Sequence, residues 1–243
     1  MSEKKLKNIL RKQISKIYSY SKIYYECNWL NSFLKYNSID LVLDVGANSG
    51  QYALSLRRFG YKNKIISFEP GSEAYIKLIQ NAKNDSKWNI YEKVGLGNKK
   101  KNIKLNISEN SVSSSFKSIK KLHLLNQPDS KYIKTEKTKI VNLDEVFKKF
   151  CKTKENIMLK IDTQGYEWEV LQGSKKSLKK IKVIQVELSF EDLYLNQKNW
   201  LNISKFLEHN GFKVFRIIDG FKNKNSGQVF QSDFFFINKK MQK

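Results

Sequence analysis

The sequence predicts an α/β fold, with helices on both faces of a mostly parallel sheet. Three observations predict it. From Ile39 onward, short runs rich in Val, Ile and Phe alternate with longer helical stretches; the first run feeds directly into a glycine turn; and several runs end on a carboxylate. The 243 residues are 40% hydrophobic and 13% aromatic, enough for one sizeable core and against intrinsic disorder.

Residues 1–38 are expected to form a separate N-terminal helical extension to a domain spanning 39–243. Leu6, Ile9, Leu10, Ile14, Ile17 and Tyr18 recur at helical spacing, with Lys4, Lys5, Lys7, Arg11, Lys12 and Lys16 on the other face. Eight cationic side chains outweigh Glu3 and Glu26 there, a net +6, so the expectation is either peripheral contact with an anionic membrane or a helix packed across the following domain. Parallel strands are expected at 41–46, 64–69, 88–94, 157–162 and 183–188. Helices are expected at 50–59, 72–83, 143–151, in two short pieces over 166–180, and at 200–210. Two closing runs, 212–218 and 229–237, predict an antiparallel hairpin at one sheet edge. The polar stretch 97–138, with its Asn-Lys-Lys-Lys-Asn run and a serine cluster, reads either as strand-and-loop decoration near a substrate entrance or as a mobile insertion.

Composition removes several function classes. The formal net charge is +23, yet only Arg11, Arg57, Arg58 and Arg216 are arginines, so a lysine-coated surface is expected and nucleic acid is not the expected partner. Cys27 and Cys151 lack a Cys-x-x-Cys partner, and His123 and His209 stand in unrelated contexts, which excludes a zinc site or disulfide framework. No apolar run approaches the roughly 20 residues of a membrane span, and the start MSEKKLKNIL lacks the apolar stretch that a signal peptide requires, so a cytoplasmic location, at the inner membrane surface where the basic N-terminus engages it, is expected.

The chemistry concentrates at strand ends. The segment LVLDVGANSGQYA carries a strand into Asp44, then brackets a turn with Gly46 and Gly50 before a helix starts. Its middle position is Asn48, not the glycine of the dinucleotide fingerprint, which disfavours pyrophosphate. Glu69 ends the next strand, where a carboxylate can accept from both hydroxyls of a ribose. Asp162 and Glu187 end two further strands. Together the four carboxylates suit a site for a cation or several hydroxyls. This chemistry fits methyl transfer from S-adenosylmethionine, whose donor carries a sulfonium, an ammonium and a ribose diol but no phosphate.

The order LVLDVGANSGQYA, SFEP, NSVSSSF, VNLDEV, LKIDTQGYEWEVLQG, a VEL strand and QSDFFF resembles the FkbM-type family of class I S-adenosylmethionine-dependent methyltransferases over residues 39–237. The resemblance implies a Rossmann-like seven-stranded sheet with an antiparallel last strand. It also implies a cofactor site drawn from Asp44, Gly46, Ala47, Asn48, Gly50 and Gln51 near the methionine end, Glu69 at the ribose, and Val94, Gly95 and Leu96 at the adenine.

The expected reaction is in-line attack by a hydroxyl of a sugar, glycan or other small molecule. Asp162 is the expected base, assisted by Glu187. Ser113, Ser114, Gln164, Tyr166 and Tyr194 are the expected acceptor contacts. Two nearby carboxylates leave a divalent metal open, with its ligands unknown. Trp168 reads as core, Asp144 as the cap of its own helix, and Asp233 as a structural acceptor of backbone hydrogen bonds. The alternatives are an RNA methyltransferase and a non-catalytic basic adaptor on the same fold.

Overall fold

The computed structural model describes residues 25–26, 28–151 and 154–241, so the predicted amphipathic helix over 6–18 and Cys27 lie outside the described residues. In chain order the strands are β1 (Leu41–Val45), β2 (Lys64–Phe68), β3 (Trp88–Ile90), β4 (Gly95–Leu96), β5 (Lys101–Ser108), β6 (Tyr132–Val141), β7 (Ile157–Ile161), β8 (Ile181–Ser189), β9 (Phe212–Asp219) and β10 (Gln231–Asn238). The helices are α1 (28–36), α2 (Gln51–Arg58), α3 (Ser72–Ala82), α4 (Lys121–Asn126), α5 (Leu143–Val146), α6 (Glu167–Gln172) and α7 (Trp200–His209).

Seven strands make one sheet in the order β3-β2-β1-β7-β8-β10-β9, parallel except for β10, which runs antiparallel to both β8 and β9. The closing hairpin folds back so that β10 lies inside and β9 takes the edge. β1 is buried at every position, as a central parallel strand covered on both faces must be. On one face Leu41, Leu43, Leu159, Ile161 and Phe234 meet Val170 and Leu171 of α6 and Ile203 and Leu207 of α7. On the other, Val42, Met158, Val183, Phe235 and Ile237 meet α2, α3 and α1. Phe33 and Leu34 of α1 are 5% and 1% exposed, so α1 is part of the core. Each such side chain contributes roughly 1.5–3 kcal/mol through burial.

Two expectations need correction. The third strand ends at Ile90, because Glu92 and Lys93 are exposed; Gly95–Leu96 instead pairs with β6 in a separate three-stranded sheet, β4-β6-β5. The polar stretch 97–138 supplies β5 and most of β6 of that sheet with the loops between them, the strand-and-loop decoration of the two expected readings. The helix expected over 143–151 stops after one turn and continues as a 3-10 segment, Phe147–Lys149.

The face toward α2 changes character along the strands. Its apolar start gives way near the carboxyl ends to a polar row in register, Ser67 beside Asp44 beside Lys160 beside Gln185. That row positions the site.

Candidate active site

The turn after β1 takes three left-handed residues, Gly46 (φ 76°), Asn48 (φ 48°) and Gly50 (φ 92°). A Cβ on Gly46 would lie 1.8 Å from the carbonyl oxygen of Asp162, so glycine is required by the close approach of the β7 end as well as by φ. The turn is tied to β2: the Gly46 and Ala47 amides both donate to the Phe68 carbonyl at 3.1 Å. The Asn48 amide donates to Glu69 Oε2 and the Gly71 amide to Glu69 Oε1, both at 2.7 Å. Burial pushes the Glu69 carboxyl up to about 7, partly offset by these two N–H groups.

A narrow cleft of about 530 Å³, part of it open to solvent, runs past Glu69 to the β7 end. Phe68, Val94, Gly95, Leu96 and Phe116 make its apolar walls, while Gly46, Asn48, Glu69, Asp162 and Gln164 supply polar groups. The loop after β5 closes one side with Ser111, Val112, Ser114 and Ser115. Asn48 Nδ2 donates to Ser111 Oγ at 3.3 Å, joining loop to turn.

Beyond Asp162 the cleft meets a polar hollow lined by Ala47, Gln51, Tyr52, Lys160, Gln185 and Asp233. Lys160 is the only cationic side chain lining either space among the described residues. Its Nζ lies 3.2 Å from Asp44 Oδ1 and 3.7 Å from Asp162 Oδ2, and donates to the Gly46 carbonyl at 3.3 Å. Burial alone would lower the Lys160 pKa; the neighbouring Asp44 and Asp162 outweigh it and raise it. Burial and the nearby Asp162 raise Asp233 to about 6 and hold Glu187 well above the usual carboxylate range. Asp233 accepts from the Gln185 side chain at 3.2 Å, which corrects the expectation of backbone donors.

The structure thus gathers Gly46, Asn48, Glu69, Val94, Gly95, Leu96, Ser114, Asp162 and Gln164 around one cleft, with Ala47 and Gln51 beside the adjoining hollow. Other predicted site residues lie off both linings. Asp44 is fully buried beneath the turn, paired with Lys160. Gly50 is packed against Trp88 and Leu78. Ser113 faces Ser130 and Asn110. Tyr166 packs on Phe116 with ring centroids 5.0 Å apart, and Tyr194 is enclosed. Glu187 sits behind Gln164, accepting from Gln164 and Gln231, both at 3.0 Å. Trp168, expected in the core, is half-buried and packs against the edge of it, edge-on to Phe206. Asp144 caps the 3-10 turn at Ser177, not its own helix, accepting from the Lys176 and Ser177 amides.

Sequence reasoning missed Lys160, Tyr52, Gln185 and Glu167. Glu167 alone left a signal, as a carboxylate two residues beyond the glycine of Asp-Thr-Gln-Gly. Its Oε1 accepts from the Thr163 and Gly165 amides at 3.0 and 3.1 Å and so shapes the turn after β7.

A divalent ion fits poorly between Asp162 and Glu187. The Gln164 amide nitrogen already bridges them, and the Lys160 ammonium stands at Asp162 Oδ2. Among the described residues no group of three or more His, Cys, Asp or Glu side chains is placed to hold a metal ion.

A parallel sheet with one inserted antiparallel strand, a glycine turn after β1 and a carboxylate after β2 make this the Rossmann-like fold of class I methyltransferases. Residues 44–214 match the family model of the methyltransferase FkbM domain, and the chain belongs to that family of S-adenosylmethionine-dependent methyltransferases. Solved structures similar to it share little sequence. Magnesium protoporphyrin IX methyltransferase from Synechocystis PCC 6803, with bound SAM, is 11% identical over 88% of this chain and 78% of its own, with a TM-score of 0.46. The fibrillarin pre-rRNA processing protein of Methanococcus jannaschii is 11% identical over 83% and 67%, with a TM-score of 0.48. No curated protein matches the sequence. No helix among the described residues is long and apolar enough to cross a membrane.

Proposed function

We propose that the protein methylates a hydroxyl of a sugar, glycan or other small molecule, with Asp162 as the proton acceptor. The observation that carries this reading is where Asp162 lies: at the junction of cleft and hollow, its side chain 37% exposed, while Asp44, beside Lys160 in the sheet, is 0% exposed.

The cleft suits the cofactor. Each Glu69 oxygen engages one backbone N–H, leaving a further lone pair apiece for a ribose diol. Val94, Gly95 and Leu96, with Phe68 and Phe116, offer apolar walls to a purine, and the Lys160–Asp162 corner suits a zwitterionic amino-acid end. When bound, S-adenosylmethionine supplies an electrophilic methyl group on a sulfonium cation.

The chain's own groups handle the acceptor. Gln164 Nε2 holds Asp162 Oδ1 at 2.8 Å, so the hydroxyl proton goes to Oδ2, which keeps a lone pair beside its 3.7 Å ion pair with Lys160. Gln51, Tyr52, Gln185 and Asp233 line the hollow with donors and acceptors, the chemistry a hydroxyl-rich acceptor requires. Residues 1–38 give this reading a route to acceptors held at an anionic membrane surface on the cytoplasmic side.

The test is incubation of purified protein and S-adenosylmethionine with a panel of nucleotide sugars, lipid-linked saccharides and RNA, read by mass spectrometry. A mass gain of one methylene at a saccharide hydroxyl supports the reading. Methylation of RNA alone, or of nitrogen or carbon only, overturns it.

A further inference from the structure

Gln164 and Tyr194 have a different relation to the site from that of acceptor contacts. Gln164 holds the left-handed backbone conformation, φ 53°, and is followed by Gly165 at φ 92°. A Cβ on Gly165 would come 2.8 Å from Cβ of Tyr194, so the turn after β7 lies directly against that residue. Tyr194 is 0% exposed, and its hydroxyl donates to Gln164 Oε1 at 2.6 Å. Because a phenol bonded to Oε1 leaves Nε2 pointing the other way, the amide has one orientation. Nε2 donates to Asp162 Oδ1 at 2.8 Å and to Glu187 Oε2 at 3.0 Å. Ser115 Oγ, from the loop closing the cleft, donates to the Gln164 carbonyl at 2.6 Å and pins the backbone.

We propose that Gln164 is a positioning residue, oriented by Tyr194, which bridges Asp162 and Glu187 and holds both carboxylates aligned beside the cleft. Two carboxylates this close repel, and each shared N–H stabilises the charged form. The other charged groups facing the pair are Lys160 of β7, Asp44 of β1, Asp233 of β10 and Glu167 of α6. Lys160 is the only cation among them, so losing the amide bridge leaves Glu187 with mostly negative neighbours, and its carboxyl, already raised by burial, takes up a proton at still higher pH.

The inference rests on the methyl-transfer reading, and the test separates the two. Calorimetry from pH 5.5 to 8.5 measures the affinities of S-adenosylmethionine and S-adenosylhomocysteine for the full chain. Their ratio cancels shared nucleoside contacts, including the titration of Glu69, and reports the negative charge near a sulfonium. In the unaltered protein the ratio falls as pH drops and Glu187 takes up its proton. Tyr194→Phe, which deletes one hydroxyl, should move that fall to higher pH by about half a unit. Gln164→Asn, which tolerates the left-handed backbone but cannot span both carboxylates, should move it by about one unit. A profile unmoved in the folded Gln164→Asn protein, whatever its melting temperature, overturns the inference. Absence of binding by the unaltered protein at every pH overturns the methyl-transfer reading instead.

Discussion

The two ends of the cleft are built in different ways. At the β1–β2 end, main-chain groups do most of the work: a left-handed turn and two backbone N–H donors hold the Glu69 carboxylate, all within one βαβ unit. At the β7–β8–β10 end, side chains hold one another. Lys160 binds Asp44 and Asp162, Gln164 joins Asp162 to Glu187, and Gln185 links Tyr52 to Asp233. The first end should tolerate changes to its surroundings, because its geometry is fixed by backbone. The second should fail when one member is removed, because each charge there depends on a neighbour.

Disabling the second end gives the largest expected effect. Asp162→Asn should lower the methyl-transfer rate by about 10²–10⁴-fold while S-adenosylmethionine affinity changes by less than about tenfold, as single-turnover rates and calorimetry would show. A rate loss explained by affinity alone would move Asp162 from proton acceptor to binding group. Lys160→Met should cost about 3–5 kcal/mol in denaturant unfolding, since it strands the fully buried Asp44 without a counter-charge. A change below about 1 kcal/mol would show that the polar row does not depend on its cation.

A finer comparison uses pH. Folded Asp233, near 6, binds its proton more tightly than an unfolded aspartate, so ionising it opposes folding. Its contribution to stability is therefore greatest below the unfolded value near 4 and is lost as pH rises through about 6. Asp233→Asn should gain stability relative to the unaltered protein at pH 8 and lose that advantage near pH 4, measured by paired melting curves. Equal pH dependence in both proteins would contradict the burial of that carboxylate.

The smallest effect is expected outside the cleft. Removing residues 1–24 should reduce sedimentation with anionic vesicles by a few-fold and leave S-adenosylmethionine affinity unchanged. Truncation must stop there, because Phe33 and Leu34 belong to the core. Vesicle binding unaffected by the truncation would remove the membrane role.

The same contrast explains what the sequence revealed. Asp44, Gly46, Gly50 and Glu69 fall at fixed offsets within one local unit, so the strand, turn and second strand were readable together. The β7 end depends on register between distant strands. Lys160 looked like one more surface lysine in a lysine-rich chain until pairing with β1 set it beside Asp44. Asp233 looked structural until β10 inserted next to β8 and faced it toward Gln185. Tyr194 follows β8 and, by sequence position, belongs at the acceptor; only its burial against Gly165 shows that it reaches the site through Gln164.

Calorimetric titration of the full chain with S-adenosylmethionine at pH 8 tests the central claim most directly. The account predicts one site per chain, displaced by S-adenosylhomocysteine and weakened at least about tenfold by Glu69→Ala, which removes the acceptor for a ribose diol. No binding, or binding indifferent to Glu69→Ala, would contradict it.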